Sequence, residues 1–252
     1  MTDRRFGGIA RLFGLTAAKH IFNAHVVVVG IGGVGSWVAE SLARSGVGQL
    51  TLIDFDQVAE SNINRQIHAT QDSLGMAKVQ AMQARIHSFF PECQVHCVEA
   101  FAEPENWPNL LPPGVAVHAV IDACDQVRAK TVIAAWAIKA KCDHVIVGAA
   151  GGKRHAQGVI VDDLAEVTHD PLLAKVRYQL RKEHGAPRDG KKMGITCVFS
   201  REPVTPLDAS CGLQSDGTLN CHGFGSLVTV TSTFGQCAAG VILNKLATKS
   251  EI

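Results

Sequence analysis

Residues 26–56 read VVVVGIGGVGSWVAESLARSGVGQLTLIDFD, and this stretch decides the fold. Val26–Val29 is a β-branched run of the kind that forms a strand buried on both faces. The turn Gly30-Ile31-Gly32-Gly33-Val34-Gly35 follows. Val34, Val38 and Leu42 then recur at four-residue steps, which predicts a helix ending at Gly46. A second strand over Leu50–Ile53 ends on Asp54. Strand, glycine turn, helix, strand and acid in that order form a nucleotide-binding fingerprint. The glycines allow a tight turn and a close phosphate, and the helix N-terminus offers free N–H groups and a positive dipole end. Asp54, about 20 residues beyond the glycines, is placed to accept a hydrogen bond from a ribose hydroxyl. On the glycines alone, NAD is the first ligand to consider.

The alternation of strand and helix continues outward from this unit. Helical spacing of Met76, Val79, Met82 and Ile86 predicts a helix over 76–89, stopped by Pro91. Strands are predicted at 95–98, 115–121 and 145–147, with a helix at 127–140. This pattern predicts an α/β fold, a Rossmann-like, doubly wound, mostly parallel sheet with helices on both faces. Further strands at 158–162 and 195–200, a helix at 170–183 with Pro171 in its first turn, and a loop-rich C-terminal extension complete the chain. No domain boundary is visible. The chain reads as a single domain over 1–252, with an N-terminal arm (1–24), a nucleotide-binding core (25–150) and a portion for substrate or dimer contacts (151–252).

Composition narrows the class. The formal charge of +1 gives no global field for nucleic acid, so DNA is not expected, although a local basic patch is compatible with it. The N-terminus carries no signal-like apolar run, so the eight cysteines read as reduced thiols of a cytoplasmic protein. None of them forms a CxxC pair, which argues against a four-cysteine zinc site. Residues 227–246 are apolar but interrupted by Thr, Ser, Gln, Asn and Lys. They read as a buried or interface helix, with membrane association as the alternative.

The polar residues decide between nucleotides. The loop 55–66 leaves the carboxyl end of the second strand, at the crevice where doubly wound sheets bind ligands. It carries Asp56, Ser61, Asn62, Arg65 and Gln66. Lys78 sits in the first turn of the next helix, where the dipole disfavours a cation. It is either a solvated lysine or the partner of an anion. Asp122 and Asp125 end the fourth strand on the same edge, and Asp125 is either a helix N-cap or a ligand. NAD needs no such cluster. Attack of a carboxylate on the α-phosphorus of ATP does, because cations and Mg²⁺ stabilise the charge that builds on the phosphoryl oxygens. Mg²⁺ prefers oxygen ligands such as Asp125.

The ordered blocks GIGGVGS (30–36), TLIDFDQVAESNINRQIH (51–68), GMAKVQA (75–81) and IDACDQV (121–127) resemble the adenylating domain of ubiquitin-activating-like enzymes, the ThiF/MoeB group. The resemblance implies that Gly30, Gly32, Gly33, Gly35, Asp54, Asp56, Ser61, Asn62, Arg65, Gln66 and Lys78 line ATP. It also implies that Asp125 holds Mg²⁺ and is essential, with Arg65 and Lys78 acting on the phosphates. A monovalent cation is a further candidate. RRFGGIARLFG (4–14), HDPLLAKVRYQLRK (169–182) and QSDGTLNCHGFGSLVTVTSTFG (214–235) are similar to the tRNA threonylcarbamoyladenosine dehydratases of this superfamily. That similarity implies a homodimer acting on tRNA bearing threonylcarbamoyladenosine, converted with ATP to its cyclic hydantoin. It also implies a link to a cysteine desulfurase system. The alternative is activation of the C-terminal glycine of a ubiquitin-like sulfur carrier, whose activators usually carry two zinc-binding CxxC pairs.

Three features stay open. The sulfur-carrier activators have an arm arginine that reaches the partner's ATP. Here Gly8 falls at that place, leaving Arg11 or Arg5 as the candidate. Cys221 is either a reactive thiol or an ordinary loop cysteine. Lys175, Arg177, Arg181 and Lys182, with Arg188, Lys191 and Lys192, are either a tRNA contact or a solvated helix face.

Overall fold

The computed structural model describes residues 3–188, 190–206 and 224–248. Seven strands form one sheet: β1 (His25–Val29), β2 (Gln49–Ile53), β3 (Gln94–Val98), β4 (Ala119–Asp122), β5 (Asp143–Val147), β6 (Val159–Asp163) and β7 (Thr196–Ser200). Their order is β3-β2-β1-β4-β5-β7-β6. Every neighbouring pair is parallel except the edge pair β6–β7, which is antiparallel. The chain winds one way from β1 to β2 and β3, then the other way from β4 onward. The switch point is the β1–β4 junction, where open sheets of this kind leave a crevice.

The helices are α1 (Gly7–Phe13), α2 (Leu15–Asn23), α3 (Gly35–Arg44), α4 (Lys78–His87), α5 (Val127–Ala140), α6 (Pro171–Glu183) and α7 (Val228–Thr248). Side chains alternate across each strand, and both faces are covered. Val26 and Val28 pack into the layer containing α3, α4 and α7, whereas Val27 and Val29 pack with Ala129 and Ile133 of α5. In β7, Val198 faces the first layer, and Cys197 and Phe199 face Leu173 and Val176 of α6. Continuous apolar strands such as VVVV are what a doubly covered sheet requires.

The expected elements form within a few residues, and the helix expected at 127–140 matches its bounds. Two features differ. Val115–Val117 is not strand, because β1 begins at His25 and His118 N–H closes that end on the His25 carbonyl. Ala116 before it meets the His25 ring through its carbonyl instead of a ladder partner. The arm, for which no helix was expected before Thr16, forms α1. Phe6 packs on Phe90 with ring centroids 4.7 Å apart.

The apolar segment 227–246 becomes α7, and Val230, Phe234, Ala238, Ile242 and Leu246, at four-residue steps, are buried. They lie in the same core as Val34, Val38 and Leu42 of the α3 segment and Ile21 of α2. This gives the buried-helix reading and leaves the membrane alternative without an apolar face to use. Among the described residues no helix is long and apolar enough to cross a membrane.

Gly235 sets the α3–α7 approach, since a Cβ there would lie 2.7 Å from the Val34 carbonyl oxygen and 2.8 Å from Trp37 Cβ. Both helices would have to shift. Gly235→Val is therefore expected to destabilise the protein by about 1–3 kcal/mol. The check is a lower urea midpoint with an unchanged denaturation slope.

Candidate active site

Register brings three strand ends into line. Val29 pairs with Ile53 on one side and Asp122 on the other. Gly30, Asp54 and Ala123 therefore leave the sheet side by side. Gly30 has φ +84°, and a Cβ on it would sit 2.8 Å from the Cys124 backbone nitrogen. A Cβ on Gly35 would fall 1.7 Å from the Gly30 carbonyl oxygen. These two glycines close the turn. Gly32 opens to free space, and Gly33 borders the Arg65 stem at 3.3 Å. The open space at Gly32, at the amino end of α3, is where backbone N–H groups can receive a phosphate.

Asp54 ties the second strand to the turn. Its Oδ2 accepts from Ile31 N–H at 2.6 Å, and its Oδ1 accepts from Asp56 N–H at 2.9 Å. Burial pushes its carboxyl above the ordinary aspartate value, opposed by the Lys78 charge and these two hydrogen bonds. The lone pairs left over can accept from a ribose hydroxyl. Asn62 caps the short turn Glu60–Asn62 by accepting from Ala59 N–H at 3.0 Å. Ser61 is exposed, and its carbonyl accepts from Arg65 Nη1 at 2.8 Å. Arg65 Nη1 also donates to Asn64 Oδ1 at 2.9 Å, and Trp37 Nε1 donates to the Arg65 carbonyl at 3.0 Å. The Arg65 guanidinium is thus fixed by neutral acceptors, and its buried Nε has no partner among the described residues. The Gln66 Oε1 is likewise buried without one.

Lys78 is buried rather than solvated. Its Nζ lies 2.7 Å from Asp56 Oδ2, with its side chain 8% exposed against 53% for Asp56. The anion that the cation at this helix start implied is therefore Asp56. Asp125 is exposed, and among the described residues its Oδ1 accepts from Gln126 Nε2, at 3.3 Å, and from no other group. No side chain caps α5, so the N-cap reading fails and the Asp125 carboxylate is free for a hard cation.

One expectation needs correction. Asp122 does not join Asp125 in the crevice. It is fully buried, and its Oδ1 meets Lys130 Nζ at 3.1 Å while accepting from Cys124 N–H at 3.1 Å. Lys130 also donates to the Asp122 carbonyl at 3.1 Å. Burial pulls the Lys130 ammonium down, and the Asp122 and Cys124 sites more than offset it. Sequence reading missed Lys130, whose one signal is a lysine inside the apolar helix VRAKTVIAAW. Arg11, the arm candidate for a partner's ATP, lies away from the glycine turn of its own chain. Phe6 packs on Gly46, just past the far end of α3, and Arg11 shares a cavity of about 370 Å³ with Phe22, Ser45 and Gly46. The length of α3, about 15 Å, separates it from the glycine turn. Arg5 is held there as well, paired with Asp3 and Glu92.

The described thiols belong to packing. Burial pushes Cys93 up to about 12 and Cys97 up to about 11, and holds Cys124 far above its usual value with Asp122 adding to it. Cys221 lies outside the described residues. Of the basic helix, Arg177 donates to the Leu164 and Val167 carbonyls and Arg181 to that of Pro187.

The model of the ThiF family matches residues 7–252. The chain belongs to the ThiF family. This ThiF-family chain is 43% identical to the tRNA threonylcarbamoyladenosine dehydratase of Escherichia coli, over 98% of its own length and 95% of that protein's. The crystal structure of the E. coli enzyme in complex with ATP has a TM-score of 0.86 at 42% identity, covering 96% of this chain and 93% of that one. The same enzyme in complex with AMP gives 0.85 at 43%, covering 96% and 94%. The resemblance expected from the sequence blocks is thereby shown, as is the Rossmann-like fold.

Removing one partner of the buried pair leaves an uncompensated charge. Lys130→Met is expected to cost about 3–5 kcal/mol, and Lys130→Met with Asp122→Leu to recover much of it. Urea unfolding of the three proteins checks this.

Proposed function

We propose that this protein catalyses the ATP-dependent dehydration of N6-threonylcarbamoyladenosine at position 37 of tRNA to the cyclic hydantoin, through an adenylate. The observation that carries the reading is the single edge holding the open Gly32 turn, Asp54, the uncompensated Arg65 and the uncapped Asp125. It is supported by near full-length identity to an enzyme of that name.

The steps follow from the chemistry of the substrate. A threonyl carboxylate oxygen attacks the α-phosphorus of ATP, the bond to the bridging oxygen breaks, and pyrophosphate leaves. The hydantoin ring then closes through the carbamoyl nitrogen borne by adenine, since the other nitrogen already sits on the carbon next to the carboxyl and closure through the carbamoyl oxygen would give an oxazolone instead. That nitrogen attacks the acyl carbon, loses its proton, and AMP leaves. The net result is loss of one water from the nucleoside, with no thiol needed.

Each residue takes the part its placement allows. Asp54 accepts from the ribose, and the Gly32–Gly33 backbone and the α3 N-terminus receive phosphate oxygens. Arg65 faces the charge that builds at the α-phosphorus, and Lys78, paired with Asp56 before the nucleotide binds, turns its charge to phosphate. Asp125 would hold Mg²⁺, a hard cation that prefers oxygen and keeps waters. When bound, that ion neutralises charge on the leaving pyrophosphate. Arg11 lies at the wrong end of its own α3, so on this reading it serves the site of a second copy in a homodimer.

Incubated with ATP and tRNA bearing threonylcarbamoyladenosine, the protein should convert that nucleoside to a product lighter by one water, read by mass spectrometry of the nucleosides. Adenylation of a carrier protein's C-terminal glycine with no change in the tRNA would overturn the assignment. Asp125→Ala should lower AMP formation by about 10²–10³-fold while leaving the melting temperature within a degree or two of wild type, because the side chain is exposed and caps nothing. Full turnover by this variant would remove Asp125 from the chemistry.

A further inference from the structure

The outer face of α6 carries a positive strip that the adenylation chemistry does not use. Lys175, Tyr178 and Lys182 stand at positions i, i+3 and i+7, one face of the helix. All three are exposed, and Tyr178, the one tyrosine of the chain, is 63% exposed. The two arginines between them turn away and bind backbone carbonyls, which fixes the helix on the segment beneath it and on the loop behind it. That loop adds exposed Arg188, Lys191 and Lys192, with Arg188 Nη2 resting on the Arg181 carbonyl at 3.4 Å and so beside the end of the helix.

None of these five cations forms an ion pair with a carboxylate among the described residues. Elsewhere on the surface Arg5, Arg44, Arg128 and Lys245 do, while exposed Arg4, Lys19, Lys139, Lys141 and Arg154 also have none among the described residues but do not gather along one helix face. In a chain of net charge +1, five uncompensated cations along one strip form a concentrated local field. A large aromatic side chain stands in the middle of it.

Placement relates the strip to the site. Asp170 caps α6 by accepting from Leu173 N–H, and its other oxygen accepts from Ala149 N–H at 2.9 Å, just past the end of β5. The helix therefore starts on the sheet edge that carries Gly32 and Asp125. Its far end leads through 184–195 to the opposite edge, where β7 begins. Its 13 residues span about 20 Å. An open cleft of about 460 Å³, lined by His169, Pro171, Ala174, Pro203 and Val204, adjoins its first turn.

We propose that this strip holds the RNA substrate beyond the reacting nucleoside. The lysines and Arg188 meet backbone phosphates of the RNA leading away from the site, and Tyr178 lies against an unpaired base between them. Phosphates spaced along a backbone are the ligand that a row of unpaired cations fits. An exposed ring between them is the usual platform for a flat base. The inference rests on the proposed tRNA reading and adds where the bulk of that RNA lies.

Direct binding tests it apart from catalysis. With full-length protein and labelled unmodified tRNA, fluorescence anisotropy is measured across a salt series. Lys175→Gln/Lys182→Gln should weaken binding about tenfold and reduce the slope of log K against log salt by about two. Tyr178→Ala should weaken binding with the slope unchanged. In turnover assays both variants should raise KM for tRNA and leave kcat and the KM for ATP within twofold. An unchanged affinity and salt slope for the lysine variant would overturn the proposal. So would tRNA binding that stays intact while binding to a polyaspartate peptide is lost, which would assign the strip to an acidic protein partner. Failure of wild type to dehydrate tRNA would sink the proposed reaction, and the anisotropy arm would still report on the strip.

Discussion

The site depends on two backbone turns touching. Gly30 leaves β1 with φ +84° and lies so close to Cys124 that no Cβ fits between them. Because β1 and β4 are in register up to Val29 and Asp122, that contact joins the phosphate turn to the turn bearing Asp125. On the other flank, the bond from Ile31 N–H to Asp54 joins the same turn to the end of β2. Three strand ends are thus linked by backbone atoms and one short carboxylate, with little conformational freedom to lose when a ligand arrives. Of the four glycines, Gly30 and Gly35 serve this packing, and Gly32 leaves the space that a ligand can enter.

Burial then sorts the charges. Asp122 and Asp125 are three residues apart and have opposite fates. Asp122 is drawn inward by Lys130, which grips both its carboxylate and its carbonyl. Such a buried pair contributes little net stability over an apolar pair of similar volume. What it does is hold the end of β4, so that the chain emerges with Asp125 on the open side. Arg65 is treated in the opposite way, because its acceptors are a carbonyl and an amide oxygen, which leave its charge uncompensated.

The frame was legible because its signals are local. A β-branched run, a glycine turn and a four-residue apolar period each report on a few neighbouring residues, and β1, α3, β2 and α5 follow from them. Pairing direction is not encoded in that period, so the antiparallel setting of β6 had no signal. Helix α1 had none either, since it begins Gly7-Gly8, poor helix formers, and is held by Phe6 against Phe90 and Gly46. In the site, the crevice residues were found because they follow strand ends. Their partners were not, because Asp56 lies 22 residues from Lys78 and Lys130 lies eight from Asp122. A loop aspartate and a helix lysine reveal nothing of each other until the topology brings them together.

The pairing of Lys78 with Asp56 sets how an incoming triphosphate would meet this site. Lys78 is nearly immobile, with its side chain buried and its backbone N–H bonded to the Asp56 carbonyl. The Asp56 side chain is half in water and can turn into solvent once another anion takes its place beside Lys78. A phosphate carrying more charge than one carboxylate would therefore displace Asp56, while the cation stays in place. The ammonium is then already oriented before the nucleotide arrives, and the ion pair serves as its stand-in anion. Preorganised charge of this kind needs no rearrangement as negative charge develops on the phosphoryl oxygens, which is where electrostatic stabilisation is most effective.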